Sequence, residues 1–247
     1  MEFAAYGDKN SRAIIFVHGS CTTAETCYSK LAETMKNDFY CILCKLDGHY
    51  DGSEDFISLT AEAEQIEKYI GDGFGGHVYA LVGLSLGSTI CVRMLERNRI
   101  SAEKVILDGA CVQNKGRFYA DMSAFMCNIG ISYIRRGGSI PDKLVEMVFG
   151  KGNTSVVSMM YAGTSKATVK NVCKQVYCYK IGSGLSDCGS SVVCIRGEFE
   201  PIPKESFRLL SEHLKNIREI IIPNCGHVQY LNEQPQKYLD MLNELLA

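Results

Sequence analysis

Gly83-Leu84-Ser85-Leu86-Gly87 sets a serine between two glycines, directly after the apolar run Val78–Val82 and at the head of a helical pattern, Leu86–Asn98. A strand turning sharply into a helix holds such a hydroxyl in strained backbone geometry, and small neighbours keep the turn free of clashes. A serine attacks a carbonyl carbon only when a base takes its proton. Asn224-Cys225-Gly226-His227, just past the strand candidate Glu219–Ile222, offers an imidazole for that purpose. The imidazole needs a carboxylate to fix its tautomer. Glu200 is the candidate, on the loop after the strand candidate Ser191–Ile195 and before Pro201. Asp108, which ends the strand candidate Lys104–Leu107, is the alternative acid on the same rim. The oxyanion formed by the attack needs backbone N–H donors. His18-Gly19-Ser20-Cys21, after the strand candidate Ala13–Val17, supplies that of Ser20 or Cys21, and Leu86 supplies the second.

Other suggestive strings carry no such chemistry. Gly71-Asp72-Gly73-Phe74-Gly75-Gly76 has the letters of a dinucleotide-binding turn, but it precedes a strand instead of following one. Its glycines therefore cannot present a helix N-terminus to a pyrophosphate. Gly163-Thr164-Ser165-Lys166-Ala167 resembles the serine motif without a strand before it. Cys41 and Cys44 share one strand, where residues three apart point to opposite faces, so they form neither a redox pair nor a metal site. Cys225 and His227 lack a second pair of matching spacing, so zinc is not expected. Arg135-Arg136 reads as solvated surface, with recognition of an acidic substrate as the sharper alternative.

The elements that must position these residues alternate along the chain. Near-continuous apolar runs at Ala13–Val17, Tyr40–Leu46, His77–Gly83, Lys104–Leu107, Ser191–Ile195 and Glu219–Ile222 predict parallel strands covered on both faces. Glu2–Tyr6 reads as an antiparallel edge strand. Helical patterns at Thr23–Lys36, Thr60–Ile70, Leu86–Asn98, Lys204–Asn216 and Pro235–Leu246 fall between them, giving a doubly wound α/β sheet. About 80 residues separate Asp108 from Ser191, where one helix and two loops need roughly 25–30. Within that gap Phe118, Met122, Phe125, Met126, Ile129 and Tyr133 recur at helical spacing. Pro141–Phe149 reads as a second helix stopped by Gly150, and Thr168–Tyr179 as a return to the framework.

Composition narrows the setting. The 247 residues are 46% hydrophobic and 22% charged, with a net charge of −2, values of an ordinary globular chain. Nucleic-acid binding is not expected, since it needs a basic excess. The twelve cysteines are too many for chance exposure, yet the chain is long enough to build a core without disulfides. They read as reduced, mostly buried thiols. Met1–Asp8 has neither a basic stretch nor an apolar run of signal-peptide type, so a cytoplasmic location is expected. Gly73–Val92 lacks charged side chains, but five glycines split it into strand, turn and helix, so no membrane span is expected.

Taken together these motifs resemble the α/β-hydrolase superfamily, in its capped esterase and lipase-like branch. Asp47-Gly48-His49-Tyr50-Asp51-Gly52-Ser53 is similar to that family's D-x-P-G-H-G-x-S loop, without its proline and with altered glycine spacing. Gly197-Glu198-Phe199-Glu200-Pro201 is similar to its G-x-x-D-P, with the longer Glu in place of Asp. The resemblance implies a mostly parallel doubly wound sheet carrying a helical cap after the family's sixth strand. The core is then residues 1–111 and 164–247, and the cap residues 112–163. It implies a catalytic Ser85, His227 and Glu200, in the chain order usual for the fold, and a substrate pocket lined by His18, Leu84, Phe118, Met122, Phe125 and Met126. His18 is expected to be structural, not catalytic. The implied reaction is hydrolysis of a small acyl ester through an acyl-enzyme, with no cofactor and no metal. A thioesterase, a lactonase, a carbon–carbon bond hydrolase and a slow-turnover ligand receptor remain open alternatives. A serine at the turn disfavours the dehalogenase and epoxide-hydrolase branches, which attack with a carboxylate.

Overall fold

The computed structural model describes residues 1–149 and 155–247. The elements follow the order β1 (Glu2–Tyr6), β2 (Arg12–Val17), α1 (Ala24–Met35), β3 (Phe39–Lys45), α2 (Leu59–Phe74), β4 (His77–Leu84), α3 (Leu86–Arg97) and β5 (Ser101–Asp108). Then come α4 (Arg117–Arg135), α5 (Asp142–Phe149), α6 (Ser155–Ser158), α7 (Lys166–Tyr177), β6 (Ser191–Gly197), α8 (Pro201–Ser211), β7 (Ile217–Ile222), α9 (Gln229–Glu233) and α10 (Pro235–Leu246). The strands form one sheet in the order β1-β3-β2-β4-β5-β6-β7. Only the edge strand β1 is antiparallel, paired from Glu2↔Lys45 to Tyr6↔Cys41; the other pairings are parallel.

Alternation along each strand divides the core between the two faces. On β2, Ile15 and Val17 join α2, α3 and Leu210 of α8, while Ile14 and Phe16 join α1 and α10. Cys41 and Cys44 of β3 fall into these two opposite cores, as their spacing requires. Side-chain caps start the helices: Thr23 accepts from the Thr26 N–H, Ser58 from Ala61 and Ser165 from Thr168. Ser165 is thus an ordinary helix cap. The glycine-rich string at 71–76 ends a helix, with Gly75 as its left-handed C-cap. Helix α8 begins three residues earlier than its sequence pattern suggests, because Pro201 fits the first turn, where no N–H is needed.

Strand order sets the site's position. From β2 the chain moves outward to β3, then returns past β2 to β4. Helix α1 after β2 and α3 after β4 therefore cover opposite faces. The switch point, where the crevice of open α/β sheets binds ligands, therefore falls between the C-terminal ends of β2 and β4. The loops carrying His18-Gly19 and Ser85 meet there.

The long segment between β5 and β6 holds α4, α5 and α6 before α7 rejoins the framework; it leaves after β5, the fifth strand of this chain. The expected stop at Gly150 lies outside the described residues. The segment reaches back over the strand ends at several points. The Tyr161 N–H donates to the Cys21 carbonyl at 2.6 Å, the Tyr161 hydroxyl bonds Asp51, and Asn232 of α9 bonds Ser158 at 3.2 Å. Arg135 is not free surface: its guanidinium caps the carbonyls of Ala162 and Thr164.

The large apolar stripe of α4 lies on the side away from α7 and is exposed, with Phe118 at 83%, Met122 at 47%, Phe125 at 65% and Met126 at 38%. The opposite, smaller face (Ala120, Ala124, Cys127, Ile131) packs on Val169 and Cys173 of α7. Helix α4 is apolar on two sides, and periodicity marks the side with bulky residues. Small side chains let two helix backbones approach closely, so the smaller side is the one buried.

Candidate active site

Ser85 stands at φ 53°, ψ −109°, a conformation that costs a non-glycine residue on the order of 1–3 kcal/mol. What holds it there is the crossing of β4 and α3. A Cβ on Gly83 would lie 2.6 Å from the Cα and N of Ser88, and one on Gly87 would collide with the Val17 carbonyl. Both positions therefore accept only glycine, and the turn stays tight. Ser85 N–H donates to the Asp108 carbonyl at 2.7 Å. Ser88 Oγ lies 2.7 Å from the Gly83 carbonyl and 2.8 Å from that of Asp108, locking the turn to the end of β5. Ser88 is fully buried, and nothing in the motif singled it out.

On the other side of the β5 terminus, Gly109 (φ 63°) backs directly onto the imidazole of His227: a Cβ there would sit 2.5 Å from Cε1 and 2.8 Å from Nδ1. Gly109, too, carries no motif that marks it in the sequence. Its only signal was an Asp-Gly pair ending a strand on the catalytic rim. His227 Nδ1 lies 2.6 Å from Glu200 Oε1. The other carboxylate oxygen of Glu200 accepts the Gly197 N–H, and the residue is the N-cap of α8, whose dipole favours a negative charge. Burial opposes protonation of His227, but the charge and hydrogen bond of Glu200, with Asp108 beyond, outweigh it and raise its pKa. Asp108 is the member left without the imidazole. Burial and the neighbouring Glu200 charge push its carboxyl up to about 7. The Tyr238 hydroxyl faces it, though not at hydrogen-bonding geometry.

The loop after β2 closes the third side. A Cβ on Gly19 would be 3.6 Å from Ser85 Cβ, so the backbone leading to Ser20 and Cys21 runs against the serine. Cys21 is itself left-handed, at φ 56°, and Leu86 occupies the first turn of α3, where an N–H has no partner within the helix. Burial pushes the Cys21 thiol up to about 12, so it is no competing nucleophile.

Two residues expected to line a pocket do not. His18 is fully buried: its Nδ1 lies 2.8 Å from the Gly19 carbonyl and its Nε2 accepts the Leu46 N–H at 3.2 Å. Burial and the nearby His49 lower its pKa to about 3, so it is a neutral brace for the loop. Leu84 is wholly inside the core beneath the turn. His18 follows the last residue of β2 and Leu84 is the last of β4, and both side chains turn into the interior. No helix among the described residues is long and apolar enough to cross a membrane.

The sheet order, the strained serine turn and the switch-point crevice together define an α/β hydrolase architecture. The sequence profile of the alpha/beta hydrolase family matches residues 14–241, and the chain belongs to that family of hydrolases. No curated protein sequence matches the chain. Solved structures similar to it include an alpha/beta hydrolase family protein from Desulfitobacterium hafniense (20% identity, TM-score 0.85, covering 100% of both chains). A thermophilic esterase from Thermogutta terrifontis, with malate bound, is similar at 16% identity and TM-score 0.72, over 99% of this chain and 92% of its own. So is 2-hydroxy-6-oxo-6-phenylhexa-2,4-dienoate hydrolase from Rhodococcus sp. strain RHA1, at 17% identity and TM-score 0.72, over 98% and 93%. At these identities the likeness is one of fold.

Proposed function

We propose that the protein is a serine hydrolase that cleaves a small acyl ester through an acyl-enzyme. The observation that carries this reading is the convergence of three groups on one strand end: Ser85 bonded to the Asp108 carbonyl, and His227 set against Gly109 while held by Glu200. With the Nδ1 N–H donating to Glu200, Nε2 of His227 keeps its lone pair and acts as the base. It takes the proton of Ser85 as Oγ attacks the acyl carbon. The N–H groups of Leu86 and of Ser20 or Cys21 hold the oxyanion, each such donor contributing roughly a hundred- to thousandfold in rate. His227 then protonates the leaving alcohol, and a water activated by the same Nε2 releases the acid. Residues 112–163 act as a cap over this crevice, which fits their contacts with Cys21, Asp51 and the α9 region. No step calls for a cofactor.

The test is labelling by a fluorophosphonate probe, followed by a panel of nitrophenyl esters and thioesters graded by acyl length. Stoichiometric labelling at Ser85, with turnover greatest for short acyl esters, is the expected result. Labelling without turnover of any substrate would favour a receptor, and preference for thioesters would move the substrate class.

A further inference from the structure

The loop after β2 is shaped by hydrogen bonds that converge on one carbonyl. Nε2 of His18 accepts the Leu46 N–H at 3.2 Å, so the ring's proton sits on Nδ1, which donates to the Gly19 carbonyl at 2.8 Å. The Thr22 hydroxyl donates to the same oxygen at 2.9 Å. It accepts in turn the Cys27 S–H from α1 at 3.2 Å, which leaves its own proton for Gly19. His18, Thr22 and Cys27 are all buried, so the Gly19 carbonyl points into the interior.

A trans peptide plane carries its C=O and N–H on opposite sides. No cis bond occurs among the described residues, so a Gly19 carbonyl bonded on the interior side turns the Ser20 N–H to the other side. Gly19 is also where the loop meets the serine turn: a Cβ there would lie 3.6 Å from both Ser85 Cβ and the Leu84 carbonyl oxygen. The next N–H along the chain therefore emerges beside Ser85. The loop does not keep this shape by propensity. Cys21 is left-handed at φ 56°, a conformation that a residue with a Cβ holds only where its surroundings impose it. His18 precedes Gly19 and cannot close the turn, whereas the Thr22 hydroxyl reaches back three residues and spans Ser20 and Cys21. From the segment over the crevice, the Tyr161 N–H holds the Cys21 carbonyl at 2.6 Å.

We propose, on the serine-hydrolase reading of the site, that Thr22 is a positioning residue: by holding the Gly19 carbonyl inward it aims the Ser20 N–H at the oxyanion. Thr22 touches neither the substrate nor the reacting atoms, and acts through the Gly19–Ser20 peptide. Its loss matters once charge develops on the carbonyl oxygen, because the ground state asks little of that N–H.

The experiment compares the wild-type chain with Thr22→Val and Thr22→Ser on the nitrophenyl ester it turns over best. Each is also inhibited with a trifluoromethyl ketone of the same acyl length, to which Ser85 adds as His227 takes its proton, leaving an oxyanion. The matching secondary alcohol, which forms no adduct, is the ground-state control. Thr22→Val should lower kcat about ten- to a hundredfold, less than outright loss of an oxyanion donor, and leave KM within about twofold. The ketone should weaken by the same factor while the alcohol binds as before. Thr22→Ser keeps the hydroxyl and should retain most of kcat. Wild-type kcat in Thr22→Val overturns the proposal, as does equal weakening of ketone and alcohol, or a Thr22→Ser as slow as Thr22→Val. Should Thr22→Val fail to fold, Thr22→Ala carries the same comparison. Fluorophosphonate labelling distinguishes failure of this inference from failure of the hydrolase reading. A wild-type chain unlabelled at Ser85 ends both together, whereas a labelled, active wild type beside an undiminished Thr22→Val ends this one alone.

Discussion

Glu200 and His227 share a 2.6 Å contact between carboxylate Oε1 and imidazole Nδ1, while Asp108, at the end of the neighbouring strand, is left buried beside them without the imidazole. Two carboxyl groups thus occupy one site in different roles. Glu200 holds the imidazole, and Asp108 is pushed toward its neutral form by burial and by the neighbouring Glu200. The division follows from reach. The Glu side chain extends from a helix N-cap to the ring, whereas Asp108 directs its carbonyl, not its carboxyl, at the serine turn.

Replacing the two acids on one ester substrate separates them. Glu200→Gln keeps the shape but offers an N–H where the ring also carries one, favouring the wrong tautomer. Its kcat should fall about 10⁴-fold, by the precedent of triad acids elsewhere. Asp108→Asn should cost less than about tenfold, since Asp108 makes no hydrogen bond to the imidazole and its carboxyl is already pushed toward the neutral form that Asn resembles. Steady-state kinetics of both variants beside Ser85→Ala, expected to lose roughly a millionfold, decide the matter. Collapse of Asp108→Asn alone would reverse the assignment.

The acid limb of the pH profile carries the same information. His227 acts as a base only when neutral, and its pKa is raised above 6.5. Activity should therefore fall as pH drops through that raised pKa, with kcat/KM half-maximal above pH 6.5. Removing the Glu200 charge leaves burial opposed only by Asp108, so in Glu200→Gln the residual activity should persist to lower pH. Asp108→Asn removes a smaller raising influence and should move the limb the same way by less. Stopped-time assays between pH 4 and 9 measure all three. An unmoved limb in Glu200→Gln would deny the coupling.

Much of this arrangement is legible in the amino-acid sequence. The strands were plain because parallel strands buried on both faces are apolar throughout, and the serine and histidine were plain because strand ends on one rim announce themselves by glycines. Gly109 and Ser88 were hidden, since their roles are contacts between distant segments: a ring from β7's loop against the end of β5, and a hydroxyl bridging two carbonyls. The packing of α4 is hidden for a related reason. Periodicity reveals that α4 has an apolar side but not which of two apolar sides a neighbouring helix will cover.

Glycine replacements provide a stability test of the turn. Gly71 lies in α2 with nothing within 4 Å of an added Cβ, so Gly71→Ala should stabilise by about 0.5–1 kcal/mol through helix propensity and a less flexible unfolded chain. Thermal melting should rise by a few degrees, on the order of 2–4 °C. Gly87→Ala drives a Cβ into the Val17 carbonyl and toward that of His18. Neither backbone group can yield without parting β2 from α3, and the variant should melt about 10 °C lower or fail to fold. Equal melting temperatures for the two would mean the turn is looser than its contacts imply.

The last prediction concerns α4, where two apolar faces compete for one description. Phe118 and Phe125 are exposed and Ile131 is buried against α7. If the exposed face lines no pocket in the hydrolase, Phe118→Gln and Phe125→Gln should leave both stability, within about 0.5 kcal/mol, and KM for the ester unchanged. Ile131→Ala removes three carbons from a packed helix interface and should cost about 2–5 kcal/mol. Urea melts at matched protein concentration give the stabilities, and the ester assay gives KM. A large rise in KM for either Phe variant, without loss of stability, would return these side chains to the substrate.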